Sequence, residues 1–376
     1  MDYKKDIFNF IDKNITSSNE ETENFYNKVR KAKQICLFGA SLNGHSLAYY
    51  LKSRHIKINF FCDNNPDLWN KGICLNIPCF SPERIKTIND RSIYIIISSR
   101  YYNEIQKQIS GFGFHNYFTC PSYLYLKIKN YLLENNVNEI KNNISTLLDI
   151  LDDETSKKIL TGIIKNWFSS INNFVNINNW KKTEGNQYFP HEIIKLKEDE
   201  VFIDGGAFDG DTIEVFLKET SSKFNKIISY ELDKNNYQKL IKNIYKYEPE
   251  INNKIISYNL GLLDKNKNTS YCSSSTSAII DSDSNEIGKV IKLSEHLKNT
   301  IPSYIKMDIE GAELEALKGA EEVIKKYKPK LAICVYHKPE HFWEVPLFIK
   351  KIVPEYKIYL RHHSHDITET VCYAVV

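Results

Sequence analysis

The sequence predicts an α/β protein with two doubly wound, Rossmann-like domains joined by a helical segment. Three observations carry this prediction. The chain has 376 residues, which is more than one hydrophobic core usually supports. Short apolar runs alternate with amphipathic helical periods in two separate stretches, and each stretch opens with a strand, a glycine turn and a helix. Between the two stretches the period is helical, with little strand signal.

These patterns divide the chain into four predicted segments. Residues 1–30 form an N-terminal helical segment, and residues 31–120 form a small Rossmann-like domain that runs from QICLFGA through SIYIIISS to FHNYFTC. Residues 121–195 form a helical connector or cap. In residues 196–376 alternation returns and gives roughly seven strands. The last two, KIYLRHH and TVCYAVV, are joined by a short turn, which predicts a hairpin with an antiparallel strand.

Composition narrows the classes of partner and compartment. A formal net charge of +3 is too small to indicate a nucleic-acid or membrane-surface partner. No apolar stretch is long enough to span a bilayer, and the N-terminal residues lack the apolar centre of a signal peptide. The eight cysteines stand at irregular spacings, mostly inside apolar runs, which is typical of buried thiols in a reducing compartment. We therefore expect a cytoplasmic protein without a nucleic-acid partner or a membrane insertion.

The first glycine turn, Gly39 to Gly44, matches the first and third glycines of the G-x-G-x-x-G nucleotide-binding pattern but has Ser41 at the second. Asp63 ends the next strand, where an acceptor for ribose hydroxyls is expected. Two interpretations stay open. The turn belongs either to a nucleotide-type fold kept for packing or dimerisation, or to a site for a nucleotide sugar or a dinucleotide.

The second glycine turn, in VFIDGGAFDGDT, is acidic. Carboxylates this close to a pyrophosphate would cost on the order of a few kcal/mol, which disfavours a dinucleotide. S-adenosylmethionine has no phosphate and carries a sulfonium and an ammonium, which an acidic turn favours, while glycines let the backbone approach its amino-acid tail. Glu231 ends the next strand with a carboxylate suited to both ribose hydroxyls. The predicted cofactor contacts are Asp204, Gly205, Gly206, Asp209, Asp211, Thr212, Glu231 and Leu232.

For two of these acids a simpler interpretation is available. Asp209 and Asp211 stand at the start of a predicted helix, where a carboxylate caps free backbone N–H groups and favours the helix dipole. Capping alone would explain both.

Four stretches of the second domain occur together: YFPHEIIKLKEDEVFIDGGAFDGDTIEVF, YELDKN, IKMDIEGAELEALKGA and YHKPEHFWEVP. In this combination, residues 187–376 resemble the FkbM family of S-adenosylmethionine-dependent methyltransferases. The resemblance implies a class I methyltransferase fold with a seven-stranded sheet and an antiparallel last strand. It also implies O-methylation, with sugar or polyketide-type hydroxyls as acceptors, often in bacterial surface-polysaccharide pathways. The N-terminal domain lies outside the resemblance.

Methyl transfer to a hydroxyl is an in-line displacement, which requires alignment of three atoms and removal of the hydroxyl proton. Candidate groups stand at the carboxyl ends of predicted strands. His337 is the predicted base, because a neutral imidazole has a suitable pKa and the residue lies in the YHKPE segment; a histidine that only orients its loop is the alternative. Asp308 and Glu310 are predicted to orient the base or the acceptor. Alternatively they bind a divalent metal that acidifies the hydroxyl.

Further residues are predicted to contact the acceptor. They are Ser275 in a hydroxyl-rich insertion, His362 and His363 after KIYLR, Lys338, and Tyr188 ahead of the first strand. An ordinary loop is the alternative for Ser275, and core packing is the alternative for Tyr188. The expected partner is a small-molecule sugar or sugar nucleotide, with the N-terminal domain either holding the nucleotide or building a homodimer.

The predicted function is therefore S-adenosylmethionine-dependent O-methylation of a sugar hydroxyl, on a nucleotide-activated sugar for capsular or lipopolysaccharide synthesis. Two enzymatic alternatives stay open: a bifunctional protein in which the first turn binds NAD(P) for a reductase, and an N-methyltransferase of a polysaccharide modification. A non-catalytic binding protein is disfavoured, because carboxylates and an imidazole are present at the predicted strand ends.

Overall fold

The computed structural model describes residues 2–88, 93–99, 101–120, 122–170, 186–273, 278–280, 286–298 and 300–376. The chain divides into two compact units. The N-terminal unit comprises Asp6–Val137 and Ile164–Asn176, and the C-terminal unit comprises Met1–Lys5, Asn138–Ile163 and Ile177–Val376. The four-segment division stays a prediction.

The N-terminal unit is built on a five-stranded parallel sheet. Its strands are β1 (Gln34–Phe38), β2 (Phe60–Cys62), β3 (Cys79–Phe80), β4 (Ile93–Ile97) and β5 (Tyr117–Thr119). They stand in the order β3-β2-β1-β4-β5, and all four pairings are parallel. Strand β4, IYIII, is buried at every position, as expected for a parallel strand covered on both faces. The order reverses between β1 and β4, which makes the ends of these strands a switch point.

Seven helices are described in the first half of the chain. They are α1 (Tyr3–Lys31), α2 (Leu42–Ser53), α3 (Pro82–Lys86), α4 (Tyr102–Gly111), α5 (Tyr123–Glu134), α6 (Val137–Ile150) and α7 (Glu154–Trp167), with short 3-10 turns at Pro66–Leu68 and Cys74–Asn76. Helices α5, α6 and α7 give the segment after β5 its predicted helical character. In the part of the chain that the structure describes, no helix is both long enough and apolar enough to cross a bilayer.

The C-terminal unit contains two sheets. Its strands are β6 (Val201–Gly205), β7 (Lys226–Tyr230), β8 (Ile255–Tyr258), β9 (Gly261–Leu263), β10 (Lys267–Ser273), β11 (Ala278–Ile280), β12 (Glu286–Lys292), β13 (Tyr304–Met307), β14 (Lys330–Cys334), β15 (Lys357–His362) and β16 (Thr370–Val375). The larger sheet has seven strands in the order β15-β16-β14-β13-β6-β7-β8, and β16 is antiparallel to both its neighbours. The predicted fold class, two doubly wound sheets with an antiparallel last strand in the second, is confirmed.

The smaller sheet has the order β11-β10-β12-β9 and is the fold of the predicted insertion. The predicted strand KIISYNLGLL ends with β9, but the sequence predicted no strand at β10 or β12, because KNKNTSYC and EIGKVIK lack the apolar runs that identified the other strands.

Helices alternate with the strands of the larger sheet. They are α8 (Asp211–Glu219), α9 (Lys234–Ile244), α10 (Pro249–Asn252), α11 (Leu293–Leu297), α12 (Glu313–Tyr327) and α13 (His341–Ile352). Helix α8 shows why these segments are helical. It buries Ile213, Phe216 and Leu217, whose three- and four-residue spacing puts them on one face.

An aromatic cluster anchors the segment ahead of β6. Phe202 stacks on Phe216 with ring centroids 4.7 Å apart, and Phe189 packs against Phe202 and Tyr304 at 5.8 and 5.7 Å. Such aromatic contacts dominate core energetics. Because Phe189 is fixed in this core, the neighbouring Tyr188 is held at the end of the sheet where the candidate site lies.

Candidate functional site

The glycine loop after β6 packs tightly across the ends of two neighbouring strands. Gly206 has φ +76°, and a Cβ there would lie 1.9 Å from the carbonyl oxygen of Asp308. The N–H groups of Gly206 and Ala207 both donate to the carbonyl oxygen of Tyr230, at 2.9 and 3.0 Å. Only glycine fits this backbone conformation and this spacing. The loop therefore brings the ends of β7 and β13 together around one cleft.

A buried ion pair holds the loop from below. Asp204 and Lys306 lie side by side on the paired strands β6 and β13, with Nζ 2.9 Å from Oδ1. Burial raises the pKa of Asp204 to about 6, against the opposing effect of Lys306. Burial alone would lower the pKa of Lys306, but the carboxylates of Asp204 and Asp308 raise it above its usual value. Lys306 also donates to the carbonyl oxygens of Gly205 and Gly206, at 3.3 and 2.7 Å.

The cleft beside this loop measures about 660 Å³, including space open to solvent. Among the residues described, its lining comprises Gly206, Phe208, Tyr230, Glu231, Leu232, Leu260, Gly261, Leu262, Ile280, Val290, Asp308, Ile309, Glu310 and Ala312. One part of this lining is apolar, and the rest consists mainly of three carboxylates and the glycine loop. Such a lining suits an amphipathic ligand with a positive charge.

Glu231 is positioned by two backbone N–H groups. Its Oε2 accepts from Phe208 N–H at 2.8 Å and its Oε1 accepts from Asp233 N–H at 2.7 Å. The side chain is only 6% exposed, and burial raises its pKa to about 7 although both hydrogen bonds lower it. The carboxylate therefore lies in the cleft with a fixed orientation. Each oxygen keeps one further lone pair for a ligand hydroxyl.

The turn after β13 contributes the other two carboxylates. Glu310 and Gly311 both have positive φ, +56° and +97°. A non-glycine residue in this conformation is uncommon, and such strain is concentrated at functional sites. Asp308 is held by Tyr188, whose hydroxyl donates to Oδ2 at 2.7 Å. Tyr336 also donates to Asp308, at Oδ1 and 3.4 Å.

His337 follows β14 and lies among three carboxylates. Its Nε2 is 3.4 Å from Asp308 Oδ1 and 3.6 Å from Glu310 Oε2, and its Nδ1 is 2.8 Å from Glu313 Oε1. The residue is 3% exposed. Burial alone would lower its pKa, but Glu313, Glu310 and Asp308 raise the pKa of His337 to about 10. A neutral imidazole, on which its predicted role as base depends, is therefore not the form that these surroundings favour.

Glu313 links this histidine to the next helix. It is the first residue of α12 and fully buried, and its Oε1 accepts from the N–H groups of Ile309 and Gly311 at 3.0 and 3.2 Å. His341, at the start of α13, has Nδ1 3.1 Å from the other oxygen. Burial raises the pKa of Glu313, but the two imidazoles outweigh burial and hold the pKa well below its usual value. Glu313 therefore fixes both the turn and the two histidines.

Only part of the predicted cofactor set lines this cleft. Gly206, Glu231 and Leu232 do. Asp204 is fully buried against Lys306, so a direct ligand contact is not what its position offers. Gly205 lies beneath the loop, where a Cβ would be 2.9 Å from a Leu262 methyl. The cofactor roles of the residues outside the lining stay predictions.

The acids at the start of α8 lie in a different place. Asp209 and Asp211 line a separate surface depression with Glu214, Lys218 and Lys246. Asp211 accepts from the N–H of Thr212 at 2.6 Å, at the first turn of α8. For Asp211 this agrees with the alternative of a role at the helix start, whereas the side chain of Asp209 makes no such bond among the described contacts. The acidity of the cleft comes instead from Glu231, Asp308 and Glu310.

Some of the predicted acceptor residues lie near the cleft and others do not. Tyr188 reaches Asp308, and Lys338 packs beside Gly311 on the turn after β13. His362 and His363 do not line the cleft; both are buried, with ring nitrogens 2.8 Å from the hydroxyls of Thr370 and Tyr373 in the β15–β16 hairpin. Ser275 lies outside the described residues. The acceptor roles stay predictions.

Three residues near the site were missed in the sequence. Glu313 stands inside IKMDIEGAELEALKGA, and its position at a helix start, five residues after the strand-end Asp308, was a usable signal. Tyr336 precedes His337 and was equally visible. Glu369 comes from the final hairpin, and burial, together with the charge of Asp308, raises its pKa to about 7. Nothing local in the sequence shows that it approaches Asp308.

The glycine turn of the N-terminal unit forms a second candidate site. Asp63 Oδ2 accepts from Ala40 N–H at 2.7 Å, and Oδ1 accepts from Asn65 N–H at 2.8 Å. Ser41 and Asp63 line a depression at the switch point of the sheet, together with Asn43, Ser99 and Glu104. Nucleotide binding and dimerisation both stay predictions for this unit.

One comparison with known proteins matches part of the C-terminal unit, and another matches almost the whole chain. Residues 204–363 match the family model described as the methyltransferase FkbM domain. No curated protein matches the chain. Methyltransferase FkbM from Methylobacillus flagellatus KT is similar over 97% of this chain and 99% of its own, at 20% identity and a TM-score of 0.67. The fold is therefore shared along almost the whole chain, including the N-terminal unit.

Two other structures resemble about half of the chain. An rRNA methylase from Streptococcus thermophilus covers 48% of this chain and 87% of its own at 10% identity and a TM-score of 0.31. A SAM-dependent O-methyltransferase from Thermotoga maritima covers 53% and 69% at 12% identity and a TM-score of 0.33. Likeness at this level carries no argument about function. The family match and the seven-stranded sheet together show that residues 204–363 form a methyltransferase domain of the FkbM family.

Proposed function

We propose that the C-terminal unit transfers the methyl group of S-adenosylmethionine to a sugar hydroxyl. One observation carries the proposal: a single cleft is lined both by Glu231 at the end of β7 and by Asp308 and Glu310 after β13. The first carboxylate suits a ribose, and the other two suit the hydroxyl-rich acceptor. Both groups lie at carboxyl ends of strands, where ligands bind in doubly wound sheets.

The cofactor is expected to lie along the glycine loop. Glu231 accepts from the ribose hydroxyls, and the apolar residues of the lining, Leu232, Leu260, Leu262, Ile280 and Val290, surround the adenine. Gly206 lets the backbone approach the amino-acid tail. The sulfonium and the ammonium are attracted by the carboxylates of the cleft, which have no phosphate to repel.

The acceptor hydroxyl is expected beside Asp308. Carboxylates accept well from sugar hydroxyls, and the hydroxyls of Tyr188 and Tyr336 hold Asp308 in place by donating to it. In-line attack needs the hydroxyl oxygen aligned with the methyl group and the sulfur. Asp308 and Glu310 orient this oxygen and attract its proton, and His337 stands directly behind them.

The finer features of the proposal come from the sequence. They are a nucleotide-activated sugar as acceptor, a role in bacterial capsular or lipopolysaccharide synthesis, a cytoplasmic location, and an N-terminal unit that holds the sugar nucleotide or builds a homodimer. N-methylation and an NAD(P)-dependent reductase in the N-terminal unit remain the alternatives.

The test separates cofactor binding from methyl transfer. Calorimetric titration of the purified chain with S-adenosylhomocysteine is expected to give one site per chain. The chain is then incubated with methyl-labelled S-adenosylmethionine and a panel of GDP- and UDP-sugars and amino sugars. Label in a sugar methyl ether supports the proposal, label on an amine supports the N-methyl alternative, and absence of S-adenosylhomocysteine binding overturns the cofactor.

Two variants test whether Asp308 belongs to the acceptor site. Asp308→Asn is expected to lower turnover by about 100-fold or more, because it removes a charge that orients the hydroxyl, within the 10²–10⁴-fold range of proton-transfer groups. Glu250→Gln, at an exposed position on α10, is the matched control and should keep full turnover. Equal turnover of Asp308→Asn and the unaltered chain would remove Asp308 from the acceptor site.

A further inference from the structure

We propose that Asp308, Glu310 and His337 together hold a divalent metal cation in the cleft. Among the residues described, Asp308, Glu313 and His337 bring ligand atoms within 4.8 Å of one another. Glu310 adds a further carboxylate 3.6 Å from the imidazole Nε2. One oxygen of Asp308 and one of Glu310 thus lie within 3.6 Å of the same imidazole nitrogen, beside the turn after β13.

The distances fit a cation better than direct hydrogen bonds. A charged N–H···O bond is about 2.7–2.9 Å long. The separations from His337 Nε2 to Asp308 and Glu310 are 3.4 and 3.6 Å. Ligand bonds of about 2.1 Å set two neighbouring donor atoms about 3.0 Å apart at an octahedral angle and about 3.4 Å apart at a tetrahedral angle. The imidazole nitrogen therefore stands from each of the two carboxylates at, or slightly beyond, the spacing that a shared ion imposes.

Neighbouring groups orient each donor toward that point. Glu313 Oε1 lies 2.8 Å from Nδ1 of His337, so the other ring nitrogen is the one that faces the two carboxylates. Tyr188 donates to Oδ2 of Asp308, so Oδ1 faces the imidazole. A carboxylate behind the far nitrogen of a histidine is the usual support of a metal ligand, because it fixes the tautomer and the ring orientation.

Charge supports the same assignment. Asp308, Glu310 and Glu313 surround one buried imidazole, and the Tyr336 hydroxyl lies 3.4 Å from an oxygen of Asp308 and from one of Glu369. The three carboxylates outnumber that imidazole, and like charges this close repel one another in a partly buried region. A divalent cation offsets that excess. Mn²⁺ suits the two carboxylates, which are two of the three donors.

The chemical use of the cation rests on the proposed function, but its binding does not. A bound divalent ion would polarise the acceptor hydroxyl and lower its pKa, which eases loss of the proton during methyl transfer. Water or the acceptor would complete the coordination.

Electron paramagnetic resonance of Mn²⁺ tests the site without any turnover. The full chain is treated with chelator, dialysed, and titrated with MnCl₂ in the absence of cofactor, and free Mn²⁺ is read from its six-line signal. One Mn²⁺ per chain is expected. His337→Gln and Glu310→Gln should each weaken binding at least about tenfold. The matched control is Glu315→Gln, which removes a carboxylate from the surface of α12 near Lys318 and should leave binding within about twofold.

The outcomes separate the cation from the proposed function. Circular dichroism and S-adenosylhomocysteine titration of each variant establish that the cofactor cleft is intact. Because Glu310 is partly exposed, Glu310→Gln is expected to fold even if His337→Gln does not. Stoichiometric Mn²⁺ binding that both variants lose supports the proposal. Absence of Mn²⁺ binding, or equal binding by both variants and Glu315→Gln, overturns it even where chelator-treated protein binds S-adenosylhomocysteine fully.

Discussion

The two glycine loops of the chain use the same backbone arrangement and differ in what surrounds it. In each unit, an acidic residue follows the second strand and accepts from one amide of the glycine loop and from the amide two residues further on. The four bonds are Ala40 and Asn65 to Asp63, at 2.7 and 2.8 Å, and Phe208 and Asp233 to Glu231, at 2.8 and 2.7 Å. An acid at this position thus serves the turn itself, whether or not a nucleoside binds there.

The neighbouring strands make the difference. After β4 the N-terminal unit has Ser98, fully buried, whose hydroxyl donates to the carbonyl oxygens of Gly39 and Phe38 at 2.9 and 3.3 Å. In the C-terminal unit the loop is held by a buried lysine, and the strand ends beyond it provide Asp308 and His337. The acid of the loop is therefore held alike in the two units, whereas the side chains at the strand ends further along differ.

The largest expected effect concerns how each loop is held. Lys306→Met should lower the free energy of unfolding by about 3 kcal/mol, because it leaves Asp204 buried without its cation. Ser98→Ala removes only neutral hydrogen bonds and should cost about 1 kcal/mol. Urea unfolding followed by circular dichroism measures both.

The double variant Asp204→Asn/Lys306→Met is the control for the ion pair. It removes both charges and should lose less stability than Lys306→Met alone. Equal losses from Lys306→Met and Ser98→Ala would show that the two loops are held equally strongly, which contradicts the difference described above.

The next largest effect is a difference in cofactor affinity between variants of Glu231 and of Asp63. Glu231→Gln should weaken S-adenosylhomocysteine binding at least about tenfold, because a hydrogen bond to a charged acceptor contributes about 1.5–3 kcal/mol. Asp63→Asn alters the corresponding acid of the N-terminal loop and should leave that affinity within about twofold. Calorimetry with both variants gives the ratio. If Asp63→Asn weakened binding as much, the cofactor would have been assigned to the wrong loop.

A smaller effect is expected from pH. Burial raises the pKa of Glu231 to about 7, so in the free protein this group is increasingly protonated below about pH 7. A protonated carboxyl is a poorer acceptor, so affinity for S-adenosylhomocysteine should rise as the pH increases toward 7, by up to about tenfold per unit, and then level off. Titrations at several pH values measure the curve. In Glu231→Gln it should be flat, and an unchanged slope there would assign the titration to another group.

The raised pKa of Glu231 also affects the stability of the fold, which should fall rather than rise as the pH increases. Because the folded chain binds this proton more tightly than the unfolded chain, the contribution of Glu231 to the free energy of unfolding is lost as the pH rises through about 7.

The smallest effect is expected at the start of α8. Asp211 is exposed and lies outside the cleft, so Asp211→Asn should change the free energy of unfolding by less than about 0.5 kcal/mol and cofactor affinity by less than about twofold. Thermal unfolding and calorimetry measure both. A tenfold loss of affinity would support the prediction that Asp211 contacts the cofactor.

Both large sheets could be predicted because their strands are short, apolar and followed by helical periods. The strand IYIII and the strand VFID are recognisable without any neighbour. The sheet of β9 to β12 could not be predicted in this way. Its strands β10 and β12 carry many polar or exposed residues and pair with each other, with Thr269 opposite Gly288 for example, so neither shows a continuous apolar run in the sequence.

The candidate site, too, could be predicted only in part from the sequence. Strand-end acids such as Glu231 and Asp308 were found because the ends of parallel strands meet at one edge. The burial of Asp204 was not foreseen, because it follows from the register that sets Lys306 beside it on the adjacent strand. Nor could the high pKa of His337 be foreseen, since Glu313 reaches it from a different strand–helix connection. Local patterns give the positions of side chains along the chain, whereas partners across strands depend on register.

The two bonds of Glu231 have a consequence for how the protein moves. One carboxylate joins the amide of Phe208 in the glycine loop to the amide of Asp233 at the start of α9. A ligand that fixes this carboxylate would slow the opening of both amides at once, although they are far apart in sequence. Hydrogen exchange of these two amides should therefore slow together when S-adenosylhomocysteine binds, as a single cooperative unit.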